Sequence, residues 1–145
     1  ILELPELLAC KTAALAAERA DEAQIQGLQE VLVRLSGDHA DYAHFLNADL
    51  QFHFRLAEAT GNSVICELTK LVLDKVVTLH KELRTGRLSD AYRRESVDTA
   101  RRVVAAITGG DGADAAHWMS VHLNAIRNEL MAVLPNGEGS QDVRQ

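Results

Sequence analysis

A chain of 145 residues, 47% hydrophobic and 25% charged, is long enough to form one domain with its own core. Its 15 basic and 21 acidic residues leave a net charge of −6, which opposes extended contact with a phosphate backbone and argues against nucleic-acid binding by these residues alone. Cys10 and Cys66 belong to no paired spacing, and no stretch approaches the roughly 20 apolar residues of a membrane span, so neither a disulfide framework, a cysteine zinc site nor a membrane partner is expected.

Only two prolines, few aromatic residues and long stretches of Ala, Leu, Glu and Arg favour helix throughout, and no alternating β-branched run suggests a strand. Six helices are predicted. The first covers about residues 4 to 20, with Pro5 tolerated in its opening turn, and the second runs from Asp21 to Leu35. The third starts near Asp41 and ends at Thr60-Gly61; the fourth, capped by Asn62 or Ser63, continues to Arg84 before Thr85-Gly86. Ser89 caps the fifth, which Gly109-Gly110 ends, and the sixth runs from Gly112 to Leu134, where Pro135 closes it. Short connections make successive helices antiparallel neighbours, so the expected fold is all-α, a compact antiparallel bundle of about six helices over residues 1–135, with a polar, disordered tail at 136–145.

Helix four is unusual. Leu68, Leu71, Val72 and Leu79 fall on one face and Cys66, Leu73 and Val77 on the opposite one, a pattern that suits either a central helix or one whose second face meets another subunit.

Helix three carries Tyr42, Phe45, Leu46, Phe52, Leu56 and Ala57 on one stripe, and Asp49 and His53 fall in the middle of it. An ionised carboxylate there is costly unless paired or coordinated, and the two side chains stand one turn apart, able to reach a common atom. Helix six repeats the pattern, with His122 among Ala115, Met119, Leu123 and Ile126. One carboxylate and two imidazoles converging inside a bundle suit a divalent ion; the alternative is a polar core in which Asp49 orients an imidazole by hydrogen bonding.

The segment from Asp49 to Asn62 resembles the D-x-x-F-H-x-x-L-A-x-A-T-G-N signature of the FCD domain, the C-terminal sensor of FadR-type regulators in the GntR superfamily. Leu15 to Ala20 resembles the end of that family's first helix, and Ala105-Ala106-Ile107 through Asp114-Ala115-Ala116, Met119 and His122-Leu123 resembles its last two. The resemblance implies a helical bundle whose cavity binds a small organic acid on or beside a metal ion such as zinc, nickel or manganese. It carries the ligand roles to Asp49, His53 and His122. The family's fourth ligand, a histidine, falls at Ala100, so a metal here is expected to be weakly held or absent. Pro5 and Ala9 stand where many relatives have an arginine and a glutamate, which leaves Lys75 as the candidate cation for an effector carboxylate; Ala100 and Asn62 complete the expected effector-binding residues.

The expected function is therefore effector sensing and homodimerisation in a cytoplasmic transcription regulator. Its winged-helix DNA-binding domain is expected upstream of Ile1, a first residue that is not Met, and operator DNA is reached only through that domain. The interior cavity is expected between helices three, five and six. No nucleophile motif, phosphate loop or dinucleotide fingerprint points to an enzyme; the rivals are a small metal-dependent enzyme using the 2-His-1-carboxylate set and a purely structural dimerisation module.

Overall fold

The computed structural model describes residues 3–37, 42–83 and 89–133, which form α1 (Glu3–Arg19), α2 (Glu22–Leu35), α3 (Tyr42–Ala59), α4 (Ser63–Leu83), α5 (Asp90–Thr108) and α6 (Gly112–Val133). The expected tail, the Thr85-Gly86 turn and Pro135 lie outside these residues.

Local chemistry sets the boundaries. Asp21 caps α2 in a reciprocal capping box with Gln24, each side chain accepting from the other's backbone N–H. α3 ends in the Thr60-Gly61-Asn62 turn. Thr60 Oγ1 donates to the Ala57 carbonyl at 2.6 Å, Gly61 takes φ +66°, and Asn62 Oδ1 accepts from the Val64 and Ile65 backbone N–H groups to start α4. Arg19 donates to the Thr60 carbonyl at 3.0 Å, tying this turn to the end of α1. At the other end of the bundle, Ser89 caps α5 while its N–H and hydroxyl both bond the Glu129 carboxylate on α6.

These ties fix the helix directions. Ser89–Glu129 and Thr99–His122 contacts make α5 and α6 antiparallel. Glu6–Arg127 at one end and Ala14–Gly112 at the other make α1 antiparallel to α6. That second pair is close: a Cβ on Gly112 would meet the Ala14 carbonyl oxygen at 3.1 Å. Small residues permit the approach, with Ala13, Ala16 and Ala17 of α1 and Ala115 of α6 all buried.

The core runs through α2, α3, α5 and α6, where Leu28, Leu35, Phe45, Phe52, Leu56, Val103, Ile107 and Met119 are fully enclosed and Phe45 meets Tyr92 edge-on. α4 lies on the outside, packed on α3 and α1. The central-helix alternative for α4 is thereby corrected: Val64, Leu68 and Leu71 are 60%, 45% and 57% exposed. The phasing of its faces is corrected too, since Val72 and Leu73 together turn inward, away from Leu68 and Leu71. A helix apolar almost all round carries no sequence signal for which stripe faces in.

Candidate functional site

Phe52 is the wedge that positions the site. Fully buried, it holds α3 in one rotational setting and lies edge-on to both His53 and His122, with ring centroids 5.6 and 5.8 Å away. Asp49, one turn before His53, is thereby turned toward α6. His122 Nε2 lies 3.3 Å from Asp49 Oδ1, and His53 Nε2 lies 3.8 Å from Asp49 Oδ2. The three ligand atoms all fall within 4.8 Å of one another.

The far side of His122 is fixed as well. Thr99 on α5 places Oγ1 2.8 Å from His122 Nδ1, and the same hydroxyl donates to the Glu95 carbonyl at 2.8 Å. The hydroxyl also lies 3.2 Å from the Ser96 carbonyl, so it joins α5's own backbone to the imidazole. Each ring nitrogen of His122 thus has a polar neighbour, Nδ1 the Thr99 hydroxyl and Nε2 the Asp49 carboxylate.

One carboxylate and two imidazoles are a donor set that could hold a divalent cation. Tetrahedral coordination with bonds of about 2.1 Å sets ligand atoms about 3.4 Å apart, so ligand atoms within 4.8 Å of one another would close in slightly on an ion held by Asp49, His53 and His122. A neutral His53 is also favoured: burial pushes its pKa below the usual 6.5, His122 adds to that, and the Asp49 charge opposes it. A lone pair is what ligation requires.

Asp49 and His53 line a cavity of about 90 Å³. It is not between α3, α5 and α6 as expected; its walls come from α1, α3, α4 and α6, among them Leu8, Leu46, Val72 and Leu123. α5 is left out because it packs directly on α6, and its contribution is spent on the rear nitrogen of His122. The expected effector residues Ala100, Lys75 and Asn62 do not line this cavity. Ala100 is 0% exposed within the core, Lys75 is exposed on the outer side of α4, and the Asn62 side chain is engaged in capping. Pro5 and Ala9 do line it, so the wall is apolar there.

Two polar residues were missed from sequence. Thr99 shares the buried face of α5 with Ser96 and Val103, a polar position on an apolar stripe that marks a partner. Arg127 lies one turn beyond Leu123, at the edge of the α6 stripe, and reaches the cavity with Glu6 of α1.

Six helices enclosing a carboxylate–imidazole trio beside an apolar cavity define a class of all-helical domain with a polar site in its interior. The chain belongs to the FCD domain family, whose match covers residues 1–125. Among its relatives, the HTH-type transcriptional regulator LutR of Bacillus subtilis is 30% identical over 134 residues, covering 90% of this chain and 60% of LutR. The HTH-type transcriptional repressor NanR of Cronobacter sakazakii is 28% identical over 111 residues, covering 77% of this chain and 42% of NanR. The chain thus spans about half the length of the curated relatives it matches. A solved GntR structure from Streptococcus agalactiae shares the fold, with TM-score 0.73 at 23% identity over 88% of this chain and 56% of that one. Among the described residues no helix is long and apolar enough to cross a membrane.

Proposed function

We propose that this chain is the effector-sensing domain of a GntR-type transcription regulator, binding a small organic acid in the cavity beside Asp49, His53 and His122. The observation that carries the reading is the convergence of these three side chains, of which Asp49 and His53 line a small apolar cavity and His122 stands behind them, in an FCD domain. The regulator role rests on relatives named as transcriptional regulators, one of them a repressor, and operator contact belongs to a DNA-binding domain outside this chain. A zinc, nickel or manganese ion held by the trio supplies a Lewis-acidic point for effector oxygens. A cavity smaller than the roughly 150 Å³ that admits benzene suits a compact acid rather than a long acyl chain. The exposed Val64, Leu68 and Leu71 stripe supports a homodimer through α4.

In this reading the effector bridges α1, α3, α4 and α6 and favours one arrangement of the bundle, to an extent set by its differential affinity for the two. Thermal melting of the chain against small organic acids, with and without added zinc or manganese, tests it. At least one acid is expected to raise the melting temperature, and more so with metal. Stabilisation by long-chain acyl compounds alone, or by nothing in such a panel, would overturn it.

A further inference from the structure

Arg127 carries the only permanent positive charge among the described residues that line the cavity. It leans across from α6 to α1, where its guanidinium donates to Glu6 Oε1 at 2.8 Å, and it is braced from behind by Asn124 Oδ1 at 3.1 Å. Both partners of the ion pair are about a third exposed, and both line the same cavity as Asp49 and His53. The pair therefore sits where a ligand in the cavity has access to it.

We propose, building on the effector-sensing reading above, that Arg127 anchors the effector carboxylate and that Glu6 is its resting counter-ion, which sets the cavity's preference for singly charged acids. The two described bonds engage two of the guanidinium's five N–H donors, leaving a planar fork that matches a carboxylate. Arg127 lines the same cavity as Asp49 and His53, which stand on α3 across from it. A compact acid can thus place its carboxylate at Arg127 and a second oxygen toward the trio.

Charge decides which acids fit. With a divalent cation at Asp49 and the Glu6–Arg127 pair intact, the walls carry one net positive charge, which a monocarboxylate neutralises. A dicarboxylate adds a second negative charge in a poorly solvated space, close to Glu6. Removing the Glu6 charge without changing its shape leaves two positive charges, and the balance then shifts toward dianions.

The test uses the 145-residue chain loaded with zinc and titrated with glycolate, 3-hydroxybutyrate and succinate near pH 7.5, with glycolamide as the uncharged control. Wild type is expected to bind at least one monocarboxylate more tightly than succinate and not to bind glycolamide. R127M is expected to lose at least about tenfold in affinity for that acid, the scale of a lost charge-assisted fork, with R127K falling between because a point charge replaces the fork. E6Q is expected to gain affinity for succinate relative to the monocarboxylate. Melting curves without ligand establish that each variant is folded. Equal binding by wild type and R127M would overturn the anchor while leaving the sensing reading in place. An unchanged monocarboxylate-to-succinate ratio in E6Q would overturn the role of Glu6. Failure of every acid to bind wild type and E6Q would remove the sensing reading and this proposal with it.

Discussion

The Thr99 hydroxyl lies 2.8 Å from Nδ1 of His122 and 2.8 Å from the Glu95 carbonyl, so a residue on α5 fixes the ring of a residue on α6 with Nε2 toward Asp49. Replacing Thr99 by Val keeps the shape and removes the hydroxyl, leaving the buried Nδ1 of His122 without this partner. We expect a stability loss of about 1–3 kcal/mol in urea unfolding with chelator present. We also expect zinc affinity to fall about tenfold or more, since the rear bond orients the ring and raises its basicity. T99S keeps the hydroxyl and should retain most of both. If T99V titrates with zinc as wild type does, His122 is not held by Thr99 for ligation.

His53 makes the stability of the metal-free fold depend on pH. Burial holds its pKa below 6.5, the value an unfolded chain has, so the neutral ring is the folded form. As pH falls below 6.5, the unfolded state takes up a proton that the folded state resists, and stability drops until the folded pKa is passed. Above pH 6.5 the contribution is fully present. Urea midpoints of wild type and H53Q at pH 7.5 and 5.5, with chelator, should show the larger acid-induced loss in wild type. An equal loss in both would mean that His53 is protonated as readily in the folded state as in the unfolded one.

The helical framework was legible because its ends are written in local chemistry. Ser89 caps α5 as expected, Asn62 rather than its alternative Ser63 caps α4, Asp21 stands at the start of α2 as expected and caps it with Gln24, and Gly61 takes the left-handed conformation after α3. The trio was legible for a different reason: Asp49, His53 and His122 interrupt apolar stripes, and helical winding alone brings Asp49 and His53 together. Which helices enclose the cavity was not legible. Periodicity gives the inward face of each helix but not its neighbours, so α5 was expected on the cavity wall where α1 and α4 stand instead. Arg127 was missed for a related reason, because a long side chain at the edge of a stripe reads as solvent-facing until the opposing helix is placed. The A-T-G-N half of the signature is turn chemistry linking α3, α4 and α1, and Asn62 belongs to that half rather than to the cavity.

The outer face of α4 bears Val64, Leu68 and Leu71 at a helical spacing, exposed together. A second copy of the chain is the expected occupant, and wild type should sediment as a dimer at micromolar concentration. Charges placed at the centre of the stripe, L68E with L71E, should give a monomer with an unchanged helical circular dichroism spectrum, because neither residue belongs to the buried core. A monomeric wild type, or a double variant that remains dimeric, would rule out this face as the interface.

If the trio holds a metal as proposed, the strength of that binding is expected to turn on Ala100. Three ligands from Asp49, His53 and His122 leave positions open on a divalent ion, so wild type should purify with less than one equivalent and lose it readily to chelator. H122A should bind none, since it removes the ligand that brings α6 to the site. A100H adds the imidazole at the family's fourth position, but Ala100 is fully enclosed in the core, and the larger ring should cost about 1–3 kcal/mol of metal-free stability through overpacking. Ser96, one turn earlier on the same helix, has a buried hydroxyl without a hydrogen-bond partner and can accept from a ring nitrogen there. Zinc addition should therefore raise the melting temperature of A100H by more than that of wild type, although the metal-free variant starts lower. Elemental analysis and zinc titration of wild type, H122A and A100H separate the cases. Weak binding in wild type, none in H122A and tighter binding in A100H is the expected series; no metal in any of the three, with helicity intact, would leave Asp49, His53 and His122 as a hydrogen-bonded polar core.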